Sequence, residues 1–131
     1  MENRLRADLI AWLREDPALI EINAIEEESP LRVSPPWLGL SASASTDWGT
    51  KERPGREIRI ALELETRTDN PDADAQMLSA IEERVFDLPP FTPQYELASV
   101  RFLRARSEQR QNNRRAALLE FRFRLFHALT E

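Results

Sequence analysis

The side chains that most often act as nucleophile, general base or metal ligand are scarce in this sequence. There is one histidine, His127, and no cysteine. Without cysteine there is no disulfide, no thiolate metal site and no cysteine nucleophile. A single histidine lacks the partners of a metal centre and reads as an incidental surface or semi-buried residue. The densest carboxylates are Glu26-Glu27-Glu28 and the pair Asp72 and Asp74. The first reads as a solvated loop, because the D-x-D-x-D-G spacing of a calcium loop is missing. The second is accounted for by the start of a helix. Ser41, Ser43 and Ser45 have no G-x-S-x-G elbow and no general base. Neither G-x-x-x-x-G-K-[ST] nor G-x-G-x-x-G occurs, so nothing points to nucleotide phosphates. The expectation is a chain with no catalytic residue, no cofactor and no metal.

What remains is charge and aromatic surface. Lys51 is the one lysine among 18 cations. Residues 1–100 carry 10 cations and 20 acids, a net of −10, while residues 101–124 carry eight arginines and two acids, a net of +6. Such a split suits a partner of opposite sign, including another copy of the chain; arginine-rich coding bias is the plainer account. The arginines lie near Phe102, Phe121 and Phe123, as on a basic nucleic-acid-binding face. Those phenylalanines nevertheless occupy the inward positions of an alternating pattern, which favours core packing over base stacking. Trp48 and Lys51 lie in a polar connection. Trp48 either anchors a protein interface or folds back as a local cap on the hairpin.

At 131 residues the chain has the size of one domain, 1–131. Its 41% apolar and 31% charged content is ordinary for a soluble protein, and no apolar run approaches the roughly 20 residues of a membrane span. The charge-broken N-terminal stretch does not read as a secretory signal, so cytosolic synthesis is expected. Residues 2–15 predict a helix, with Leu5, Leu9, Trp12 and Leu13 on one stripe and Asp16-Pro17 at its end. Residues 18–30 fit either a short strand or a helical turn. Leu38 onward predicts a strand, entered through Ser34-Pro35-Pro36-Trp37. A second strand follows, in which Ile58, Ile60, Leu62 and Leu64 alternate with Glu57, Arg59, Ala61 and Glu63. Gly49 and Gly55 between them predict positive-φ turns, Pro54-Gly55 a type II turn. Asn70-Pro71 opens a second helix reaching about Leu88, with Met77 or Leu78, Ile81, Val85 and Leu88 inward. The last 35 residues predict a long hairpin with Asn112-Asn113 at its tip. Its wholly polar stretch, Ser107 to Arg115, includes Arg110, Arg114 and Arg115. Such a stretch cannot offset its ordering entropy, so it is expected to be mobile until it docks on a neighbour. The fold class is α+β: an antiparallel-rich four-stranded sheet with two helices packed on one face.

Several of these features come in a familiar order: Asp47-Trp48-Gly49-Thr50-Lys51, then Gly55-Arg56-Glu57 leading into the alternating strand, and finally Phe121-Arg122-Phe123-Arg124 through Ala128-Leu129-Thr130-Glu131. That collinear set resembles the tail-completion, or tail-terminator, family of long-tailed phages and phage-derived gene transfer agents. The family has an amphipathic helix, a strand pair joined by a D-W-[ST]-T-K connection, a second helix and two closing strands. The 107–115 arm departs from it, since family members often have a tighter, glycine-containing turn there.

The resemblance implies a structural virion protein rather than an enzyme. It implies self-association into a ring, a hexamer in the particle, that caps the tail tube. The expected partners are further copies of the chain, the major tail-tube protein and the head–tail connector protein, with no membrane and with DNA only as cargo passing through. The chain would be cytoplasmic during assembly and then part of the particle tail. Trp48, Lys51, Arg110, Arg114 and Arg115 are the interface candidates. A head–tail connector (stopper) and a small nucleic-acid-binding regulator using the arginine-rich hairpin are the alternatives.

Overall fold

The computed structural model describes residues 1–28, 32–67 and 71–128. In chain order these form α1 (Glu2–Arg14), a 3-10 turn (Pro17–Leu19), β1 (Ala24–Glu26), β2 (Trp37–Asp47), β3 (Gly55–Thr66), α2 (Pro71–Phe86), β4 (Tyr95–Arg110) and β5 (Arg114–His127). The sheet has five strands in the order β1-β2-β3-β5-β4, one more than the sequence suggested. The extra strand is β1, three residues paired in parallel with the start of β2. The stretch read as strand or turn holds both, a 3-10 turn and then a strand. A three-residue strand leaves too short a period to announce itself. All other pairings are antiparallel.

The alternation in β3 and β5 sets the two faces of the sheet. Ile58, Ile60 and Leu62 stand opposite Phe123, Phe121 and Leu119, partners on one side of the pleat. All six are buried, and α1 and α2 contribute Leu5, Leu9, Leu13, Ile81 and Val85 to the same core. Both helices therefore cover one face, as expected. Among the described residues no helix is long and apolar enough to cross a membrane.

Several local expectations need correction. Trp12 is half-buried, and Ile10 takes its place in the buried stripe of α1. The Trp12 indole N–H donates to the Arg84 carbonyl at 2.8 Å, and Arg84 Nε donates back to the Trp12 carbonyl at 2.9 Å. The Arg84 guanidinium lies 3.3 Å above the indole ring. Trp12 is thus the seam between the helices, where its polar atom finds a partner. No glycine has positive φ, and Gly55 is the first residue of β3, so Pro54-Gly55 is not a type II turn. The requirement at both glycines is closeness: a Cβ on Gly55 would lie 2.6 Å from the Leu125 carbonyl oxygen, and one on Gly49 would lie 2.6 Å from the Gly55 nitrogen. Asp72 and Asp74 fall in the first turn of α2 as read. The expected cap at Asn70 and the closing Leu129-Thr130-Glu131 lie outside the described residues.

Tyr95 ties the start of β4 to α1. Its hydroxyl donates to Asp8 Oδ2 at 2.7 Å, and its ring is buried. Burial, and then the hydrogen bond to Asp8, hold the phenol well above its ordinary range. The unfolded chain therefore loses this proton first, so the contribution is intact below about pH 10 and is lost as pH rises beyond it. Tyr95 is the only tyrosine, which makes the phenolate absorbance a clean probe. No phenolate is expected before the alkaline unfolding transition, and Tyr95→Phe is expected to flatten the stability loss above about pH 10. An ordinary tyrosine titration in the folded chain contradicts this packing.

Candidate assembly surfaces

The β2–β3 connection is the first surface. The Trp48 N–H donates to the Gly55 carbonyl at 3.1 Å, the Thr50 N–H to the Arg53 carbonyl at 2.9 Å, and the His127 N–H to the Pro54 carbonyl at 2.9 Å. These bonds fold the tip back on the end of β5. The Trp48 ring packs on Phe126 with centroids 4.8 Å apart. Arg124 approaches the Trp48 ring at 5.4 Å, and Arg53 stands 4.3 Å over Phe126 while also pairing with Glu96. Trp48 thus caps the hairpin with one face and remains half-exposed. Lys51 is exposed and has no ion-pair partner among the described residues.

The β4–β5 hairpin is the second. The polar arm expected to be mobile is ordered by the chain itself. β4 continues to Arg110 and β5 begins at Arg114, and Asn112 and Asn113 turn the chain with φ of 61° and 60°. Two successive positive φ angles match the twist of a tight hairpin. Arg110 donates to both carboxylate oxygens of Glu63, at 3.1 and 3.2 Å, and pairs with Glu108 at 3.0 Å. Arg114 donates to Glu65 at 3.1 Å. These bonds to Glu63 and Glu108 raise the Arg110 guanidinium above its ordinary value and leave it fully charged. The two acids are only 7% and 5% exposed. Sequence alternation placed Glu63 on a wet face, but here arginines from across the sheet cover it.

Further down the same face, Arg124 and Arg122 lie 3.1 and 3.9 Å from Glu57, and Arg104 lies 2.9 Å from Glu120. Most of the basic stretch is therefore neutralised inside the molecule. Arg101, Arg106 and Arg115 remain without ion-pair partners among the described residues. Phe121 and Phe123 are fully buried and Phe102 is partly buried against them. Bases cannot stack on the two buried rings. Among the described residues no group of three His, Cys, Asp or Glu side chains is placed to hold a metal ion.

Two features escaped sequence reasoning. Among the described residues, three large apolar side chains are exposed: Ile20 by 83%, Phe86 by 46% and Phe91 by 73%. A cleft of about 340 Å³ also opens between the first turns of α2 and the tip end of the β4–β5 hairpin. The F-T-P-Q spelling around Phe91 gives no periodicity, so nothing local declares it outward.

Comparison with known proteins follows this geometry closely. The family model described as "Tail completion protein gp17" matches residues 7–126. No curated protein sequence matches the chain. Among solved structures, a chain of "Virion of native gene transfer agent (GTA) particle" is similar in fold with a TM-score of 0.77. The two share 20% sequence identity over 93% of this chain and 94% of that one.

Proposed function

The chain belongs to the tail completion protein gp17 family, and from that membership we propose that its copies close into a ring at the head-proximal end of the tail tube. The family is one of structural virion proteins, not of enzymes. In the proposed role the ring stops tube polymerisation and offers its far surface to the head–tail connector. A six-fold ring assembled in the cytoplasm is the form the family suggests. Mechanism here is interface geometry: each subunit presents two different patches, and rotation closes the set. The observation that carries this reading is the family match, which runs from within α1 to the last residues of β5. The internally neutralised sheet face agrees with it, since a DNA-binding face would leave its arginines free for phosphates.

The Trp48–Lys51 tip is proposed to touch the tube or a neighbouring copy, with Lys51 as its exposed charge. Lys51→Glu is expected to leave the thermal midpoint unchanged, because it removes no observed contact. It is also expected to reduce the yield of complete particles when it replaces the parent chain. Equal particle yield removes the tip from the interface. For the role itself, particles made without the chain are expected to show tubes of uncontrolled length and free heads by electron microscopy. Normal tube length with only the connector missing would favour the stopper role.

A further inference from the structure

We propose that Phe91 of one copy docks into the cleft between α2 and the β4–β5 hairpin of a second copy. This rests on the ring reading and names the contact that builds the ring.

Phe91 forms a lone bridge with Glu96, beside the start of β4. The cleft is lined at the other end of β4, by Ser107 and Gln109, and by Leu64, Leu78 and Ala116. Eleven residues of strand separate Glu96 from Ser107, roughly 35 Å at the usual rise. Phe91 therefore cannot reach the cleft of its own molecule. A knob at one end and a hole at the other make a head-to-tail contact, the kind that generates rings or filaments.

The size of the cleft and one unpaired arginine in it favour a second copy as occupant. The cleft measures about 340 Å³, and a cavity of about 150 Å³ is enough to hold a benzene ring. Its Arg115 has no ion-pair partner among the described residues. On the knob side, Glu15 lines the same shallow groove as Phe91, and Asp87 lies four residues before it. Neither acid has an ion-pair partner among the described residues, so either can pair with Arg115, the cleft's single cation; of the cleft's own acids, Glu108 is already paired with Arg110. The cleft also contains Asp74. Its Oδ2 accepts from Thr66 at 3.1 Å, and its buried Oδ1 has no donor. The exposed side-chain amide of Gln94, three residues after Phe91, supplies a donor as the segment enters.

The cysteine-free chain allows a direct test. Phe91→Cys and Ala75→Cys place thiols on the knob and on the cleft wall, and a disulfide forms only where Cα atoms come within about 7 Å. Oxidising the double variant, both as concentrated purified chain and in assembled particles, is expected to give a ladder of covalent oligomers. The control pair Ser41→Cys with Ala75→Cys, whose first thiol is exposed on β2, is expected to stay monomeric. Phe91→Asp is expected to weaken self-association by about tenfold or more, the scale of a central aromatic anchor, with an unchanged melting midpoint. If the parent assembles and Phe91→Asp assembles equally well, this contact is wrong while the ring stands. If the parent self-associates neither alone nor in particles, the ring reading falls and this contact with it.

Discussion

Replacing Phe121 with alanine is expected to destabilise the chain by about 3–5 kcal/mol, the cost of emptying a fully enclosed aromatic site. The side chain is fully buried at the centre of the sheet. Its ring centroid lies 5.7 Å from Phe102, 6.1 Å from Phe86 and 6.4 Å from Phe123. Domains of this size are stable by about 5–15 kcal/mol, so this one change removes a large share. Phe102→Ala is expected to cost less, because Phe102 only partly joins the core. Urea unfolding of both variants checks the order. A loss below about 1 kcal/mol for Phe121→Ala would mean that this face is not the core.

The double change Arg110→Ala with Arg114→Ala is expected to cost about 2–3 kcal/mol. Removing one side of a buried pair leaves the other charge desolvated, at about 3–5 kcal/mol in fully buried cases. The arginines here are 36% and 34% exposed, which trims the figure through solvent screening. The stranded groups are Glu63 and Glu65, and neutralising them with Glu63→Gln and Glu65→Gln is expected to return part of the loss. Amide exchange across residues 107–117 is expected to accelerate in the arginine variant and recover in the fourfold one. Unchanged stability with already fast exchange in the parent would restore the picture of an arm waiting for a neighbour.

Both expectations draw on features of different legibility. The core was readable because a strand repeats every two residues and a helix every 3.6, so burial leaves a period. Ile58 through Leu64, Phe121 and Phe123, and Leu5, Leu9 and Leu13 all announced their faces in this way. Asn112-Asn113 announced the turn because asparagine tolerates positive φ. The likeness to tail-completion proteins was legible too, since it rests on the order of short motifs. β1 was not, because three residues have no period. The glycines were misread because closeness to another strand, at Leu125, is not written beside Gly55.

The same limit governs the candidate surfaces. Sequence alone determined that this chain has arginines in excess near its end, a tryptophan and a lysine in a connection, and almost nothing suited to catalysis. It did not determine which arginines are free. Glu63 and Arg110 lie 47 residues apart in the chain, and only the β3-β5-β4 order brings them together. That pairing turns a stretch too polar to order itself into a fixed hairpin, because the ordering energy comes from two acids on another strand. Exposure of Phe91 was likewise settled by where the α2–β4 connection runs. Local pattern therefore fixed which faces are buried, and tertiary placement decided which charges and which aromatic ring are left for a partner.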